Sequence, residues 1–409
     1  MTLAARSAAA DTGLAPIPPA SSDATARARI CLPFSGDVIG GSHLSVLDLL
    51  RRIDRARFDP LVVVQHPGGK LARLFGDHGI PVVCPFDWPE LPYNRRVGAN
   101  AIRAALAQLG PQIRFLRENR IDIVHVNDGR TQVAWALAAK LAGTRLLWHH
   151  RGDPGSRGLR YAAPFLADAV LAVSQFSLPR PGLISAAGKA EVVHSPFDTG
   201  ISVDRAAARA RLIAELDVPD DTLLLGYFGA FVARKRPLLF LDTIDHMRRM
   251  RADRPIVGLL FGAAEEPAMD AAIRAHIASR GLADHVRIMG WRSPGTAWIA
   301  ACDRLLVPAV GEPFGRTLIE AMLVGTPIVA TRSGGNVEAL KDGALGRLVT
   351  PEDPVALAMG ALDMAAGEAA ALAARAEADA RVRFGFDRHC EQVSAVYERL
   401  LGTGAGAAV

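Results

Sequence analysis

The sequence has few cysteines and no long apolar run. Its four cysteines, Cys31, Cys84, Cys302 and Cys390, stand far apart in a chain of 409 residues. Scattered cysteines argue against a disulfide framework or a zinc site and fit a reducing compartment. Even the alanine-rich residues 362–380 are interrupted by Asp, Glu and Arg, so we expect no membrane-spanning helix. The composition therefore predicts a metal-free protein of the cytoplasm.

Dense clusters of Lys and Arg interleaved with aromatic residues are also absent, and aromatic residues make up only 6% of the chain. Nucleic-acid binding therefore has no support. The net charge of +5 is uneven, because residues 28–200 contain 21 Lys and Arg against 14 Asp and Glu, whereas residues 201–409 contain 24 against 26. The basic first half is compatible with peripheral contact at the inner membrane surface or with an acidic acceptor, and equally with a merely solvated surface.

Residues 1–27 are rich in Ala, Ser, Thr and Pro and lack a basic start followed by an apolar core. We expect them to form a disordered leader rather than a signal peptide. The rest of the chain is longer than one hydrophobic core usually organises, and half of all residues are apolar. The sequence therefore predicts two domains.

From Ala28 onward, short runs rich in Val, Ile and Leu alternate with segments of helical length. This pattern is typical of parallel sheets covered on both faces. We predict an α/β protein of two Rossmann-like doubly wound domains, residues 28–200 and 201–385, facing a central cleft. A closing helix and tail, residues 386–409, either cross back to the first domain or cap the second. The predicted strands are Ala28–Phe34, Leu61–Gln65, Ile80–Pro85, Ile121–Asn127, Arg145–His150, Ala169–Ser174, Glu191–Pro196, Leu223–Phe228, Ile256–Phe261, Val286–Met289, Leu305–Val310, Ile328–Thr331 and Arg347–Thr350.

One stretch carries the strongest chemical signal. The apolar run Leu305–Val310 leads into Gly-Glu-Pro-Phe-Gly, and helix formers follow from Arg316. Gly315 permits a turn that brings the backbone close to a ligand, and the free N–H groups of Arg316, Thr317 and Leu318 would open a helix whose dipole favours a phosphate. The pattern predicts an anion site at this turn.

Two carboxylates flank the turn. Glu312 precedes it and Glu320 lies inside the helix, so both are suited to bind hydroxyl groups on either side of a phosphate, as a nucleotide sugar carries. The alternative is structural, because Glu320 follows Arg316 by four residues and the two can form a solvated helix pair. On spacing alone, the two interpretations are about equal.

A second signal is the basic turn Arg234-Lys235-Arg236, which follows a predicted strand and opens a helix. Cations beside a helix N-terminus are electrostatically misplaced unless an anion lies there. A diphosphate would supply that anion.

The first domain contributes weaker signals. Gly40 and Gly41 lie between the first strand and a helix, where backbone can approach a ligand. A dinucleotide site would want an acidic residue after the second strand, but Gln65 and His66 stand there, which counts against NAD. His149 and His150 end a predicted strand, and a histidine in that position more often has a structural role.

Together these residues resemble a known family. Glu312 and Glu320, separated by seven residues and followed by Gly-Thr-Pro-Ile-Val-Ala-Thr at 325–331 and Ser-Gly-Gly-Asn-Val-Glu at 333–338, resemble the signature of the retaining glycosyltransferases of family 4. The resemblance implies a GT-B fold and a UDP-, GDP- or other nucleotide-diphosphate sugar as donor. It implies transfer without a metal or other cofactor, to a glycan, lipid-linked or small-molecule acceptor.

The resemblance also implies roles for individual residues. Glu312 would bind hydroxyls of the donor sugar, Glu320 the ribose and Lys235 the diphosphate, while His149 would orient the sugar as a cleft histidine. Catalytic roles would therefore fall to His149, Lys235 and Glu312. The donor site would also include Gly40, Gly41, Arg234, Trp291, Arg292, Phe314, Gly315, Arg316, Thr317 and Leu318, with Trp291 and Arg292 beside the nucleobase. His125 also matches a recurrent family pattern and is expected to support the site from beneath.

The sequence departs from the family at one position. The family has an arginine five residues before the lysine, and Ala230 stands there. Arg234 or Arg236 could replace the missing charge. Two further interpretations stay open: a nucleotide-sugar epimerase or phosphorylase of the same fold, although no pyridoxal-bearing lysine is identified, and a weakly active or non-catalytic nucleotide-sugar-binding protein.

Overall fold

The computed structural model describes residues 27–86 and 99–403, so the predicted leader lies outside the described residues except for Arg27. The chain divides into two compact units. The first unit contains residues up to Pro196 together with those from Phe386, and the second unit runs from Phe197 to Gly385. The sequence predicted the boundary four residues later, at residue 200.

The first unit is built on a parallel sheet of seven strands in the order β3-β2-β1-β4-β5-β6-β7. Its strands are almost entirely buried because helices cover both faces of the sheet. This explains why they read as continuous apolar runs instead of alternating ones. The strands are β1 Ala28–Phe34, β2 Phe58–Val64, β3 Val82–Val83, β4 Ile123–Val126, β5 Arg145–His150, β6 Ala169–Ala172 and β7 Ala190–Val192.

The helices of the first unit contribute apolar residues to the core clusters on the two faces of this sheet. They are α1 Gly41–Arg52, α2 Lys70–Gly76, α3 Ala99–Glu118, α4 Gly129–Ala142 and α5 Ala163–Leu166. Helix α1 buries Val46, Leu49 and Leu50, and Asp128 caps α4 by accepting hydrogen bonds from the N–H groups of Arg130 and Thr131.

The second unit has a parallel sheet of six strands in the order β10-β9-β8-β11-β12-β13. Its strands are β8 Leu223–Phe228, β9 Ile256–Phe261, β10 Val286–Gly290, β11 Arg304–Val307, β12 Ile328–Thr331 and β13 Arg347–Val349. Its helices are α6 Arg205–Leu216, α7 Pro237–Met250, α8 Pro267–Ser279, α9 Gly295–Ala301, α10 Arg316–Leu323, α11 Gly335–Ala339, α12 Pro354–Leu362 and α13 Ala366–Arg383. The predicted fold class, two doubly wound Rossmann-like domains, is confirmed.

The last helix, α14 Phe386–Leu401, belongs to the first unit although it follows the second in the chain. Val393, Val396 and Tyr397 form its buried stripe and lie in one core cluster with residues of α1 and β1. The ring of Tyr397 meets that of Phe58 edge-on, with 5.4 Å between their centroids. Of the two placements that the sequence left open for this helix, the structure has the one on the first unit.

Within residues 27–86 and 99–403, no single helix has the length and apolar character to cross a membrane, whereas α12 and α13 pass that test only as a pair bent by 100°. All four cysteines are unpaired, and Cys31 and Cys302 are buried.

Candidate functional site

The loop between β11 and α10 lies at the carboxyl end of a central strand of the second unit, where open α/β sheets bind ligands. It needs glycine at both ends, because φ is +65° at Gly311 and +72° at Gly315, values that strain any residue with a Cβ. Helix α10 then buries Leu318, Ile319 and Met322, which fixes the direction of its N-terminus.

The start of α11 supports this loop from behind. The N–H of Gly311 donates to Ser333 Oγ at 3.0 Å, and the N–H of Gly335 donates to the carbonyl of Glu312 at 2.8 Å. A Cβ on Gly334 would lie only 2.5 Å from that carbonyl oxygen. The glycines therefore allow two backbone segments to touch, and their contact sets the position of Glu312.

Glu312 joins the two cations of the basic turn. Its Oε2 lies 3.2 Å from Lys235 Nζ and also pairs with Arg234 Nη1, while the N–H of Val310 donates to the carbonyl of Arg234 at 2.8 Å. We call Arg234, Lys235 and Glu312 the Glu312 cluster. Only 10% of the Glu312 side chain is exposed, against 49% for Arg234. Sequence reasoning assigned separate ligand groups to these residues and missed that they bind one another.

The positions of Lys235 and Arg236 explain how the positive charge is distributed around Ala230. Lys235 lies against Gly229, since a Cβ built there would be 3.2 Å from Nζ, so the lysine runs beside the position where the family has arginine. Arg236 turns elsewhere and binds Glu352 at 2.5 Å. Of the two candidates to replace the missing charge, Arg234 therefore lies in the cluster and Arg236 does not.

One of the three predicted backbone donors is not free. The N–H of Leu318 donates to the carbonyl of Gly315 at 3.0 Å, because the first turn of α10 closes tightly. The expectation that this N–H faces a phosphate is therefore corrected. The predicted anion contacts of this turn reduce to the N–H groups of Arg316 and Thr317.

Glu320 lies near Arg316, with 4.0 Å between Oε1 and Nη2. The guanidinium of Arg316 lies over the ring of Phe197 at 4.3 Å, so it is not a freely solvated partner. Burial raises the pKa of Glu320, and the charges of Arg316 and Lys235 lower it again. The Glu320 side chain is 25% exposed, so the pair is partly desolvated and Glu320 stays open to a ligand; its predicted ribose contact stays a prediction.

The remaining donor-site residues are placed unevenly. Phe314 is 5% exposed, and its ring packs on Phe197 and Phe384, so the side chain supports the loop from beneath. Trp291 is 79% exposed. The guanidinium of Arg292 binds Glu215 at 2.6 Å and lies over the ring of Trp298, 4.7 Å from its centroid.

In the first unit, Gly40 precedes α1 and its N–H donates to Nδ1 of His43 at 2.9 Å. His43 is 6% exposed, and burial lowers its pKa. Sequence reasoning missed this residue, although a side chain three positions after a helix N-cap regularly folds back onto it. The contact orients the Gly40-Gly41 turn.

His149 lies at the carboxyl end of β5 and is fully buried. Its ring is nearly parallel to that of His125, with the planes 7° apart and the centroids 5.4 Å apart, and Gln132 Nε2 donates to its backbone carbonyl at 3.0 Å. Burial lowers the pKa of both histidines well below the usual value, and the nearby Arg151 lowers it further. Both rings are therefore neutral, and the predicted sugar contact of His149 stays a prediction.

A cavity of about 780 Å³ lies at the amino ends of the strands of the second unit, away from the Glu312 cluster. Two of its arginines donate to carbonyls near helix ends, Arg205 to that of Cys302 at 3.1 Å and Arg304 to that of Met364 at 2.6 Å. Among residues 27–86 and 99–403, no group of His, Cys, Asp and Glu is arranged to hold a metal ion.

Two protein-family models match the chain, one in each unit. The model described as Glycosyltransferase Family 4 matches residues 39–200, and the model described as Glycosyl transferases group 1 matches residues 222–366. The second match contains the whole Glu312 cluster and all of α10.

Curated relatives agree with this assignment. A D-inositol 3-phosphate glycosyltransferase of Salinispora tropica is 28% identical over 416 residues, covering 89% of this chain and 82% of the relative. The enzyme of the same name from Streptomyces avermitilis is 32% identical over 225 residues, covering 51% and 47%. Its counterpart from Jonesia denitrificans is 32% identical over 180 residues, covering 42% of each chain. The chain thus spans less than half the length of these last two relatives.

Solved structures share the fold. HepE of Anabaena, solved in complex with UDP and glucose, has a TM-score of 0.74 and 25% identity, covering 91% of this chain and 100% of that one. A glycosyltransferase of Rickettsia africae has the same TM-score at 17% identity, covering 92% and 99%. Family models in both units, relatives of one kind and a GT-B architecture thus agree on a glycosyltransferase, with the model of family 4 matching the first unit.

Proposed function

We propose that this protein is a retaining glycosyltransferase that moves a sugar from a nucleotide-diphosphate donor to an acceptor hydroxyl without a metal ion. The observation that carries the proposal is the Glu312 cluster, which places two cations and a carboxylate at the helix turn expected to bind the diphosphate. Because Anabaena HepE was solved with UDP and glucose, UDP sugars are the first donors to test.

The chemistry follows from where charge develops. As the bond between the sugar and the diphosphate breaks, negative charge grows on the leaving phosphate. Lys235, Arg234 and the N-terminal turn of α10 offer preorganised positive charge there, which stabilises the transition state more than the bound donor. The acceptor oxygen attacks the anomeric carbon from the leaving-group face, and a phosphate oxygen takes its proton. The new bond therefore keeps the configuration of the old one.

The carboxylates bind the two ends of the donor in this proposal. Glu312 accepts hydrogen bonds from hydroxyls of the transferred sugar, and Glu320 from the ribose. His149 orients the sugar near the reacting carbon. To bind the sugar, Glu312 must give up part of its contact with Lys235 and Arg234. The diphosphate of the donor then replaces the Glu312 carboxylate as the anion beside these cations.

The acceptor is a separate proposal. The relatives named D-inositol 3-phosphate glycosyltransferases make an inositol phosphate the first small-molecule acceptor to try, beside glycan and lipid-linked acceptors. Peripheral contact of the basic first half with anionic lipid also stays a prediction.

The test is a screen of nucleotide sugars by thermal stabilisation, followed by turnover of a radiolabelled donor. A ligand at a hundredfold its dissociation constant adds about 2.7 kcal/mol of stability, which is easily measured. Transfer of label to an acceptor with retention at the anomeric carbon supports the proposal. Formation of an epimer would instead support a nucleotide-sugar epimerase. Binding without any turnover would support a non-catalytic nucleotide-sugar-binding protein.

A further inference from the structure

A continuous line of hydrogen bonds crosses the core of the first unit. Tyr397 Oη in α14 lies 2.7 Å from His125 Nδ1 in β4. The other ring nitrogen, His125 Nε2, lies 3.2 Å from His149 Nδ1 in β5. All three side chains are fully buried. Each contact requires one donor and one acceptor, so the line has a direction.

Arg151 sets that direction. Its Nη2 lies 3.3 Å from the same His149 Nδ1, and a guanidinium is only ever a donor. Two further hydrogen bonds, from Nη1 to Ser195 Oγ at 3.0 Å and from Nη2 to Asn127 Oδ1 at 3.3 Å, hold the guanidinium in place. His149 Nδ1 must therefore accept, because a proton there would face the N–H of Arg151.

The rest of the line follows. With His149 Nδ1 as acceptor, His125 Nε2 must carry a proton, since two lone pairs would otherwise face each other at 3.2 Å. The single lone pair of His149 Nδ1 is then shared between the N–H groups of His125 and Arg151. A neutral His125 with its proton on Nε2 has a free lone pair on Nδ1, which accepts from the Tyr397 hydroxyl. The low pKa of both rings leaves one proton on each.

The same reasoning assigns the remaining atom of the line. A neutral His149 that accepts at Nδ1 carries its proton on Nε2. That nitrogen is buried and has no hydrogen-bond partner among the residues that the structure describes. The neighbouring ring of His389, 6.3 Å away between centroids, uses its own Nδ1 on the carbonyl of His194 at 2.7 Å. A buried donor without an acceptor destabilises the ligand-free protein, and a ligand oxygen can accept from it.

We infer that Tyr397 and His125 are positioning residues that hold His149 as the tautomer protonated at Nε2, so that this N–H donates to a hydroxyl oxygen of the transferred sugar. The inference rests on the proposed function for its ligand, but the tautomer itself depends only on the network. It gives α14 a part in the chemistry of the site, because the Tyr397 hydroxyl, by donating to His125 Nδ1, supports from one end of the line the proton arrangement that Arg151 sets at the other.

The tautomer can be measured directly. In protein labelled with ¹⁵N-histidine, the two ring nitrogens of a neutral histidine have distinct shifts, and His149→Gln and His125→Gln identify the signals among eleven histidines. The expected wild-type spectrum shows His149 and His125 both protonated at Nε2. Protonation of His149 at Nδ1 would overturn the inference, whatever the activity of the enzyme.

Variants test the positioning role. Tyr397→Phe should shift His125 and His149 toward mixed tautomers, while Tyr227→Phe, which removes a buried hydroxyl 3.3 Å from the carbonyl of Ala230 in the second unit, should leave both spectra unchanged. His125→Gln retains an N–H toward His149 and should preserve its tautomer, whereas His125→Leu should not. Thermal unfolding of each variant shows whether it is folded, and the His125 pair keeps the test valid if Tyr397→Phe is not.

Kinetics separate this inference from the proposed function. Tyr397→Phe should lower kcat about tenfold, the loss expected when one well-made hydrogen bond disappears, with no change in affinity for the bare nucleoside diphosphate. An unchanged kcat would show that the line is structural only. A wild-type protein without any turnover but with the expected tautomer would refute the proposed function and leave the network assignment standing.

Discussion

Lys235 Nζ and Glu312 Oε2 lie 3.2 Å apart, in loops that follow different strands of the second unit. The carboxylate is a counter-ion for both Lys235 and Arg234. A diphosphate that binds these cations must therefore compete with Glu312, and the strength of that competition is measurable.

Glu312→Gln should strengthen binding of a bare nucleoside diphosphate while lowering turnover. The amide leaves both cations without a charged partner, and a partly exposed ion pair contributes up to about 1 kcal/mol, or roughly fivefold in affinity. The lost charged contact with the sugar should lower kcat by about tenfold to a hundredfold. Calorimetry and initial rates measure the two effects. Glu352→Gln, which frees only Arg236, is the matched control and should change neither.

Glu320→Gln should weaken nucleotide binding by roughly tenfold or more, the value of a charged hydrogen bond to the ribose. The same change should raise the unfolding temperature of the ligand-free protein at neutral pH. Because burial raises the pKa of Glu320, its ionisation costs stability as the pH rises from the unfolded-state pKa to the folded-state one, and the cost persists above it. Scanning calorimetry should show the gain at neutral pH and its loss well below the ordinary Glu pKa. Equal nucleotide affinity in both proteins would refute the ribose assignment.

Arg234→Ala should cut turnover by about a hundredfold, and Ala230→Arg should add little. A cation about 4 Å from a phosphate contributes roughly 4 kcal/mol at an effective dielectric of 20, before desolvation, and each 1.36 kcal/mol is about tenfold in rate. Arg234 already reaches the Glu312 cluster, so it is the expected substitute for the missing arginine. The reverse pattern, a silent Arg234→Ala and a large gain from Ala230→Arg, would show that nothing replaces it.

Gly334→Ala should abolish most activity, because its Cβ would meet the carbonyl of Glu312 at 2.5 Å and push the loop forward. Gly281→Ala is the matched control, since φ is +60° there against +58° at Gly334 and its Cβ would meet nothing within 4 Å. Both variants should lose stability from the positive φ, and Gly334→Ala more, because φ +58° with ψ −143° is a backbone conformation that almost only glycine adopts; thermal unfolding shows whether it is folded. Only Gly334→Ala should lose turnover, and equal losses in both would mean that the loop position is unimportant.

Chelation should leave the enzyme fully active. The proposed diphosphate site has cations and backbone N–H groups of its own, and no metal-binding group occurs among the described residues. Turnover is measured after exhaustive dialysis against EDTA, with the same protein resupplied with Mg²⁺ or Mn²⁺ as control. A loss that either ion restores would contradict the proposed mechanism.

The fold could be predicted because buried parallel strands have an unmistakable sequence pattern. Arg145–His150 and Ile256–Phe261 coincide with the predicted strands, since every residue but the first of β5 is buried. The predicted ends of the strands were less accurate where a strand runs into a loop. The prediction Glu191–Pro196 became Ala190–Val192, because only Val193 continues the pairing, through its N–H to the carbonyl of Ala172.

The site was predictable in its residues but not in its contacts. The spacing of Glu312 and Glu320 on either side of Gly315 predicted the turn and helix α10. It could not show that Glu312 binds Lys235, because that pair joins distant parts of the sequence and depends on how two strand ends meet. The network through Tyr397 was missed for the same reason: its hydroxyl lies 272 residues from His125.

The placement of α14 has a consequence for how the chain is made. The second unit is one uninterrupted segment, whereas the first unit lacks Val393, Val396 and Tyr397 until its last helix has been synthesised. On the ribosome, the second unit can therefore fold as soon as it emerges, while the first waits with an exposed apolar groove on α1 and β1. A stop codon just after Gly385 would remove few residues, yet it would take away the part of the core that completes the domain synthesised first.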